Sequence, residues 1–234
     1  MNRAMKSSLH HHVAAVVSTL LVIAMTGCAA SAGNGDDVTG QDVRDAAGMT
    51  QTEVAGLSVE DEFGLASERY VEMQGVLEEA QLQISNGAWF WNGGDVLPVA
   101  AGADAFGEPL PGADDDNSYF FTAGRILEPE GAEGARSDLD PMIEYFDQKG
   151  WESGSREIGR NFEARADSGD GWWVTYTVRP NGQYSLAVYS EPFWTNDSGA
   201  LFSAIADRDP ADFPEESVPG EYPPFPSWSD PVQS

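Results

Sequence analysis

Cys28 is the only cysteine in the 234-residue chain, and the residues before it have the order of an export signal. Arg3 and Lys6 precede an apolar stretch over residues 13–25, and small residues follow that stretch. The stretch is too short to span a bilayer, which takes about 20 apolar residues. A lone cysteine in an exported chain has no partner for a disulfide within the chain, so its thiol is the first candidate for chemistry.

The four residues Met25-Thr26-Gly27-Cys28 resemble the lipobox of bacterial lipoproteins. The resemblance implies that residues 1–27 are a signal peptide and that a diacylglyceryl group is attached to Cys28. It also implies that the protein is lipid-anchored at the extracytoplasmic face of the cell membrane. Two or three acyl chains anchor a protein stably, whereas one chain holds it weakly. The alternative is an ordinary secretory signal cut after Ala30-Ser31-Ala32, which would discard Cys28 and release a soluble protein.

The residues after Cys28 lack the side chains that most catalytic and metal sites need. All three histidines, His10, His11 and His12, precede Cys28, and Lys149 is the only lysine after it. Without an imidazole base, Ser-His-Asp and Cys-His nucleophile systems are excluded, as are His/Cys sites for zinc or copper. Carboxylate acid/base chemistry and oxygen ligation of a hard cation such as Ca²⁺ remain open. We predict no cofactor.

The chain is strongly acidic, with 39 Asp and Glu against 12 Lys and Arg and a formal net charge of −27. Removal of residues 1–27 takes away Arg3 and Lys6 and no acid, so the mature chain is more acidic still. Such a surface repels nucleic acid phosphates, which are bound by Lys and Arg. It also repels anionic lipid headgroups, so membrane attachment depends on the lipid at Cys28. The charge therefore excludes a nucleic acid partner.

The many carboxylates do not single out a catalytic pair or a metal site. A carboxylate-dependent hydrolase of cell-wall glycans remains an alternative, but the separation that its catalytic pair needs is not visible in sequence. Two acid-rich segments, residues 114–117 and 167–171, offer oxygen ligands for Ca²⁺. Neither has the spacing of an EF-hand loop, and solvated turns are the simpler interpretation. We assign no catalytic residue and no metal ligand.

The composition divides the mature chain into three parts. Residues 28–56 are rich in small and polar residues without a periodic pattern, which is typical of a flexible tether. Residues 209–234 contain seven prolines among acidic residues, which predicts a disordered, polyproline-like tail. Residues 57–208 lie between them and predict a single folded domain, long enough to bury about 70% of its unfolded surface.

Two helices are predicted in this domain. From Val59 to Ile84, apolar residues recur at alternating steps of four and three, which lines one face of a long helix. A shorter helix is expected from Asp140 as N-cap, with Pro141 at the first helical position and Gly150 as the stop.

Alternating apolar and polar residues predict a three-stranded antiparallel meander in the C-terminal half. A three-residue turn between its second and third strands pairs Val178 with Tyr184, and a similar turn between its first two strands pairs Ala166 with Trp172. A one-residue slip would turn the apolar residues to solvent, so these registers are favoured. The predicted fold class is α+β, an antiparallel sheet with the long N-terminal helix and the shorter helix packed on one face.

The same registers place Trp173 on the other face of the sheet, opposite Tyr189 on one neighbouring strand and opposite Arg165 on the other. They also place Glu163 opposite Thr175. A row of Arg165, Trp173 and Tyr189 is suited to bind a sugar ring, a peptide or a partner protein. The alternative is cross-strand packing that stiffens an exposed face. These three residues are the predicted ligand or partner face.

The layout as a whole resembles the uncharacterised actinobacterial surface lipoproteins, among them the mycobacterial LppA type. The resemblance rests on the lipobox at Cys28, the long amphipathic helix and the step from Gly150 and Trp151 into hairpins. It implies a location in the cell envelope and no assigned activity. The sequence thus predicts a non-enzymatic lipoprotein that binds an envelope protein or a wall glycan or peptide. A glycan hydrolase and a structural acidic surface component are the alternatives.

Overall fold

The computed structural model describes residues 43–102, 110–209 and 213–233, and within them the chain forms four α-helices and ten strands. The helices are α1 (Gln51–Val54), α2 (Val59–Ile84), α3 (Asp140–Lys149) and α4 (Ser198–Ala206). The strands are β1 (Trp89–Trp91), β2 (Val99–Ala100), β3 (Ser118–Phe120), β4 (Thr122–Leu127), β5 (Glu152–Ile158), β6 (Asn161–Asp167), β7 (Trp172–Val178), β8 (Tyr184–Ser190), β9 (Phe193–Trp194) and β10 (Glu216–Ser217). The described residues all belong to one compact unit. The predicted signal peptide, Cys28 and the first part of the predicted tether lie outside the described residues.

Seven of the strands form one antiparallel sheet in the order β10-β1-β4-β8-β7-β6-β5, and β2, β3 and β9 form a second, smaller one. The α+β class with an antiparallel sheet is confirmed. The predicted three-stranded meander, β6 to β8, is instead the inner part of the larger sheet. Strand β5 extends it on one side, and periodicity missed this strand because all seven of its residues are exposed and carry no apolar alternation.

Helix α2 covers the middle of one face of the seven-stranded sheet. Ser58 and Asp61 form a capping box at its N-terminus, where the Ser58 hydroxyl accepts from the Asp61 amide. The apolar stripe of the helix, which includes Tyr70, Met73 and Leu77, is buried, and the helix packs against β8, β4 and β7. This face of the sheet is therefore the core, and the other face carries the polar residues of the alternation.

Helix α3 packs beside α2 and against β5 and β6. A 3-10 helix, Arg136–Leu139, leads directly into it, so Leu139 is its N-cap and Asp140 lies in its first turn. The expected N-cap at Asp140 is thus displaced by one residue. Gly150 ends the helix in the left-handed conformation, with φ 71°, which glycine adopts without steric cost.

The alternation of apolar and polar residues predicts one of the two hairpin registers correctly and the other incorrectly. Val178 pairs with Tyr184 across β7 and β8, as predicted. Across β6 and β7, however, Ala166 pairs with Val174 and not with Trp172, a shift of two residues. The turn keeps three residues, 169–171, but it begins one residue later than predicted, because Ser168 pairs with Trp172 through hydrogen bonds with the Trp172 backbone. A shift of two keeps every side chain on its face, so the apolar pattern does not distinguish the two registers.

The described part of the predicted tether, residues 43–56, packs on the domain. The carboxylate of Asp45 is buried and accepts from the Trp194 amide, and the Trp194 indole donates to the Val43 carbonyl. Val54 of α1 is 1% exposed. The small and polar composition of this segment reflects buried turns and a short capped helix here, and not the flexible chain that we expected.

The described part of the predicted tail, residues 213–233, is extended as its prolines require, but it is packed and not disordered. Phe225 and Trp228 each lie with ring centroids 5.3 Å from that of Phe63 on α2. The Tyr70 hydroxyl donates to the Pro223 carbonyl, and β10 adds to the edge of the large sheet. Prolines prevent regular structure, but the aromatic residues between them supply the apolar area that holds the segment to the core.

Among the described residues, no helix is long and apolar enough to cross a membrane.

Candidate functional site

The three residues of the predicted ligand face come together on the polar face of the large sheet. Trp173 on β7 pairs directly with Tyr189 on β8. Their rings are nearly parallel, at 6°, with centroids 6.4 Å apart. Arg165 on β6 pairs with Thr175 and not with Trp173, whose own partner on β6 is Asp167. The predicted direct opposition of Arg165 and Trp173 is therefore wrong, for the same two-residue shift in register.

Arg165 still contacts Trp173, because its side chain crosses diagonally to the next pair. The guanidinium carbon lies 3.9 Å from the centroid of the Trp173 ring and 5.6 Å from that of Tyr189. A diagonal neighbour on an antiparallel pair is within reach of long and aromatic side chains. Arg165, Trp173 and Tyr189 therefore lie together, but Arg165 reaches Trp173 diagonally and is not its direct cross-strand partner. The same shift moves Glu163 opposite Thr177 and away from Thr175.

Tyr189 is only 7% exposed, whereas Arg165 and Trp173 are half-buried. Burial is the main cause that raises the pKa of the Tyr189 hydroxyl, and the nearby charge of Arg165 opposes the rise. The hydroxyl is therefore neutral at ordinary pH. Tyr189 lies beside Trp173 on the neighbouring strand, and the more exposed surface of the site is made by Trp173 and Arg165.

A cavity of about 320 Å³ lies beside Arg165 and Trp173. Its other wall consists of five consecutive residues of β5, residues 152–156. Gly154, which pairs with Arg165, borders open space: a Cβ atom there would have no other atom within 4 Å. Sequence reasoning missed the β5 wall of the site. The feature that could have indicated it is the pairing of Gly154 with Arg165 across the hairpin of β5 and β6, which leaves space beside the arginine.

The charged side chains around the cavity differ in how many hydrogen-bond and ion-pair partners they have. Arg156 donates through Nε to the Glu163 carboxylate at 2.7 Å, and its Nη2 lies 2.7 Å from the same carboxylate oxygen in an ion pair. Arg165 makes no ion pair with the described residues, and its Nε is buried without a hydrogen-bond partner. The Trp173 indole nitrogen donates to Glu191 at 3.4 Å, which orients the ring. Arg165 is therefore the cation of this site whose hydrogen-bonding capacity is least used.

The chemistry that this arrangement offers is recognition. A half-buried indole provides a flat apolar surface for a ring or a planar group, and a guanidinium beside it donates hydrogen bonds to carboxylate or hydroxyl oxygens. Glu163 is held in its ion pair with Arg156, and Glu152 lies on the exposed β5 wall. The cavity thus contains a stacking surface and a donor, which are the parts of a binding site.

The acid-rich segments form closed turns. Asp114 accepts from the amides of Asp116 and Asn117 through the same carboxylate oxygen, and Asp167 accepts from the Gly169 amide. Within the described parts of the chain, no group of three or more His, Cys, Asp or Glu side chains is placed to hold a metal ion. These carboxylates satisfy the backbone of their own turns.

A second cluster of polar residues, which the sequence did not reveal, lies on the core face. Arg125 binds both carboxylate oxygens of Asp95, at 3.2 Å and 2.6 Å, and Gln74 of α2 donates to the same carboxylate at 3.0 Å. The Arg125 guanidinium also lies 3.5 Å from the centroid of the Trp91 ring. All donors meet acceptors and the cluster is buried under α2, so we interpret it as structural.

Comparison with protein-family models, curated proteins and solved structures finds no match. The case for a function therefore depends on the geometry of the cavity beside Trp173 and on the sequence before residue 43.

Proposed function

We propose that the chain is a lipoprotein anchored through Cys28 at the extracytoplasmic face of the cell membrane, and that it binds its ligand without catalysis in the cavity beside Trp173. The observation that carries the binding proposal is the position of Arg165. Its guanidinium lies 3.9 Å above the Trp173 ring at the wall of an open cavity, and it lacks an ion-pair partner among the described residues. The anchor is supported by the lipobox-like sequence alone.

The ligand that fits this cavity carries a ring or a flat apolar group next to an acidic group. The ring would stack on Trp173, and the acidic group would accept from Arg165. Fragments of the cell wall that join an amino sugar to a short peptide have both features. An extracytoplasmic protein held at the membrane meets such fragments directly. We therefore propose wall glycopeptides as the ligand class.

The negative net charge of the whole chain means that the protein does not bind anions by long-range attraction. It therefore favours local recognition of a small acidic ligand by Arg165. With a net charge of −27, the protein repels polyanions in general. A small ligand with one carboxylate can still bind where a desolvated guanidinium is available, since a hydrogen bond to a charged group is worth about 1.5–3 kcal/mol. Recognition then depends on the local geometry of Arg165 and Trp173 and not on the electrostatic field of the whole protein.

The test is a calorimetric titration of soluble wall glycopeptides into residues 38–234, the compact unit. We expect saturable binding to the wild type and a loss of about tenfold in affinity for Trp173→Ala, which corresponds to about 1.4 kcal/mol and lies within the range of aromatic stacking with a charged or polar group. Arg165→Gln should weaken acidic ligands more than neutral ones.

The matched control is Phe90→Ala. Phe90 is an aromatic residue on β1, in the same sheet, and it is 47% exposed and does not line the cavity. This variant should bind as the wild type does. Equal binding by all three variants, or the absence of any binding, would overturn the proposed site. Mass spectrometry of the recovered ligand distinguishes binding from hydrolysis, because a binding protein returns the ligand unchanged.

A further inference from the structure

Strand β5 forms an unusually open edge of the large sheet. Its seven residues, Glu152–Ile158, pair with β6 on one side, and on the other side no strand of the described residues adds to it. In an antiparallel strand, alternate residues turn their N–H and C=O groups to each side. The outer side of β5 therefore presents a row of backbone donors and acceptors that can pair with another strand.

Two of the devices that protect an edge, a proline and a bulge, are missing from β5, although it carries the charged side chains of Glu152, Arg156 and Glu157. It contains no proline, and it pairs with β6 residue by residue along its full length, from Glu152 with Asp167 to Ile158 with Asn161, so no bulge twists it away. Gly154, its third residue, leaves open space and has an ordinary backbone conformation. Such an edge is competent to accept a further strand.

The charges on β5 indicate which strand it accepts. Glu152 lies opposite Asp167, a like-charged pair that is unfavourable across an antiparallel ladder, and it has no cationic partner among the described residues. Arg156 lies four residues further on the same strand and on the same face of the sheet. Gly154 lies midway between them. The strand therefore carries a negative and a positive charge at equal distances on either side of Gly154.

We propose that the β5 edge pairs with the β5 edge of a second copy of this chain, antiparallel, about a two-fold axis at Gly154. In this register, Glu152 of each copy faces Arg156 of the other, and the two Gly154 residues meet at the axis. In this pairing each Glu152 gains a cationic neighbour, Arg156, which it shares with Glu163, and this offsets the like-charged pairing of Glu152 with Asp167. An axis at Ser155 would instead place Gly154 opposite Arg156 and would form neither ion pair.

The geometry of a two-fold pairing is self-consistent. An antiparallel pair centred on one residue matches the outward backbone groups of each copy to those of the other, because the two strands are identical. Ser153 then faces Ser155, which are small residues and leave the helices on the core face undisturbed. The cavity beside Trp173 is walled by β5, so the cavities of the two copies would adjoin across the axis. The pairing does not depend on the proposed ligand.

Disulfide trapping tests the register directly. Residues 38–234 contain no cysteine, so Gly154→Cys introduces the only thiol. The two cysteines would be directly opposite, at a Cα separation of about 4.5–5.5 Å, which a disulfide can bridge. Ser153→Cys is the matched control on the same edge, because the two introduced thiols would be diagonal neighbours at about 7–8 Å and out of reach. We expect mild oxidation to give a covalent dimer with Gly154→Cys at least tenfold faster than with Ser153→Cys.

A charge exchange tests the ion pairs independently of any thiol. Glu152→Arg and Arg156→Glu should each be monomeric in analytical ultracentrifugation, because each homodimer would oppose like charges twice. An equimolar mixture of the two variants should form a heterodimer, in which both contacts are again Arg with Glu. Circular dichroism of each variant shows whether it is folded, since Arg156→Glu also removes the ion pair with Glu163.

Three results would overturn the proposal. A wild-type protein that is monomeric at high micromolar concentration would do so, as would equal rates of oxidation for the two cysteine variants or a mixture of charge variants that stays monomeric. Hydrogen exchange on a monomer would then identify what occupies the edge. Protected β5 amides would indicate a segment of the same chain, and rapidly exchanging amides would indicate a free edge.

Discussion

Arg125 and Arg165 lie on opposite faces of the same sheet and have opposite roles. Arg125 is 1% exposed, and its guanidinium is held by Asp95 at two oxygens. Arg165 is half-buried beside a cavity and has an Nε without a partner. The same side chain is therefore part of the core in one position and available to a ligand in the other, and the difference lies in which face of its strand it occupies.

The buried pair of Arg125 and Asp95 leads to a stability prediction. Asp95→Asn should lower the free energy of unfolding by about 3–5 kcal/mol, because it leaves the Arg125 charge buried without a counter-charge. The exposed pair of Lys149 and Glu79 is the matched control, since its side chains are 39% and 55% exposed. Glu79→Gln should cost at most about 1 kcal/mol. Urea denaturation of both variants measures the difference, and equal losses would show that Asp95 does not hold a buried charge.

At the residue scale, the sequence predicted contacts inside regular strands and missed contacts that loops supply. The stacking of Trp173 on Tyr189 follows from alternation across one hairpin. Asp95 lies in a loop segment with no periodic pattern, so nothing in the sequence places it beside Arg125. The β5 wall of the cavity was missed for a related reason, since this exposed edge strand has no alternation of apolar and polar residues to reveal it.

At the scale of elements, the segment after β10 acts as part of the core although its composition is that of a disordered chain. Phe225 contacts both Phe63 and Tyr70, and Trp228 contacts Phe63, all on or against α2. Arg208 at the end of α4 lies over the Trp228 ring at 4.3 Å. The average composition of this segment is that of a disordered chain. It does not show that the few aromatic residues are spaced so that they contact one helix, α2.

Substitution of these aromatic residues should therefore destabilise the whole domain. Phe225→Ala and Trp228→Ala should each lower the free energy of unfolding by roughly 1–2 kcal/mol, less than for a fully buried side chain because both are half-buried. Val232→Ala, in the same segment but 57% exposed, should change it by less than about 0.5 kcal/mol. Thermal denaturation followed by circular dichroism gives the comparison. A segment that is unfolded in solution would give no difference among the three variants.

The register of β6 against β7 shows the limit of prediction at this scale. Alternation determines which residues face the core, and that part of the prediction agrees with the structure for Ala164, Ala166 and Val174. It does not determine register to better than two residues, and the turn decides the remainder. Ser168, whose hydroxyl and backbone both bond to Trp172, moves the three-residue turn one position along the chain, and no count of apolar residues contains that information.

At the scale of the whole molecule, tyrosine hydroxyls are placed almost entirely in the interior. Burial is the main cause that raises the pKa in six of the seven tyrosines, namely Tyr70, Tyr119, Tyr145, Tyr176, Tyr184 and Tyr189. For Tyr184 the pKa rises to about 12, through burial first and then through the hydrogen bond to Asp138. Each of these groups is kept neutral by the fold.

These shifts predict how stability depends on alkaline pH. A tyrosine whose pKa is higher in the folded state contributes stability that is fully present below its unfolded pKa of about 10 and is lost as pH rises through the folded value. Stability should therefore fall above about pH 10. Urea denaturation at several pH values, with phenolate absorbance as a second readout, measures the slope. Tyr184→Phe should make the slope shallower, and an unchanged slope would show that Tyr184 titrates normally in the fold.

The ion pair of Lys149 with Glu79 has a practical consequence. Lys149 is the only lysine after residue 27, so an amine-reactive dye has one side-chain target in residues 38–234, apart from the amino terminus. Its ammonium group lies between α2 and α3, beside the core face, whereas Trp173 lies on the polar face of the sheet. A single fluorophore can therefore be placed on the back of the molecule, and its anisotropy would report tumbling of the protein while the cavity stays unobstructed.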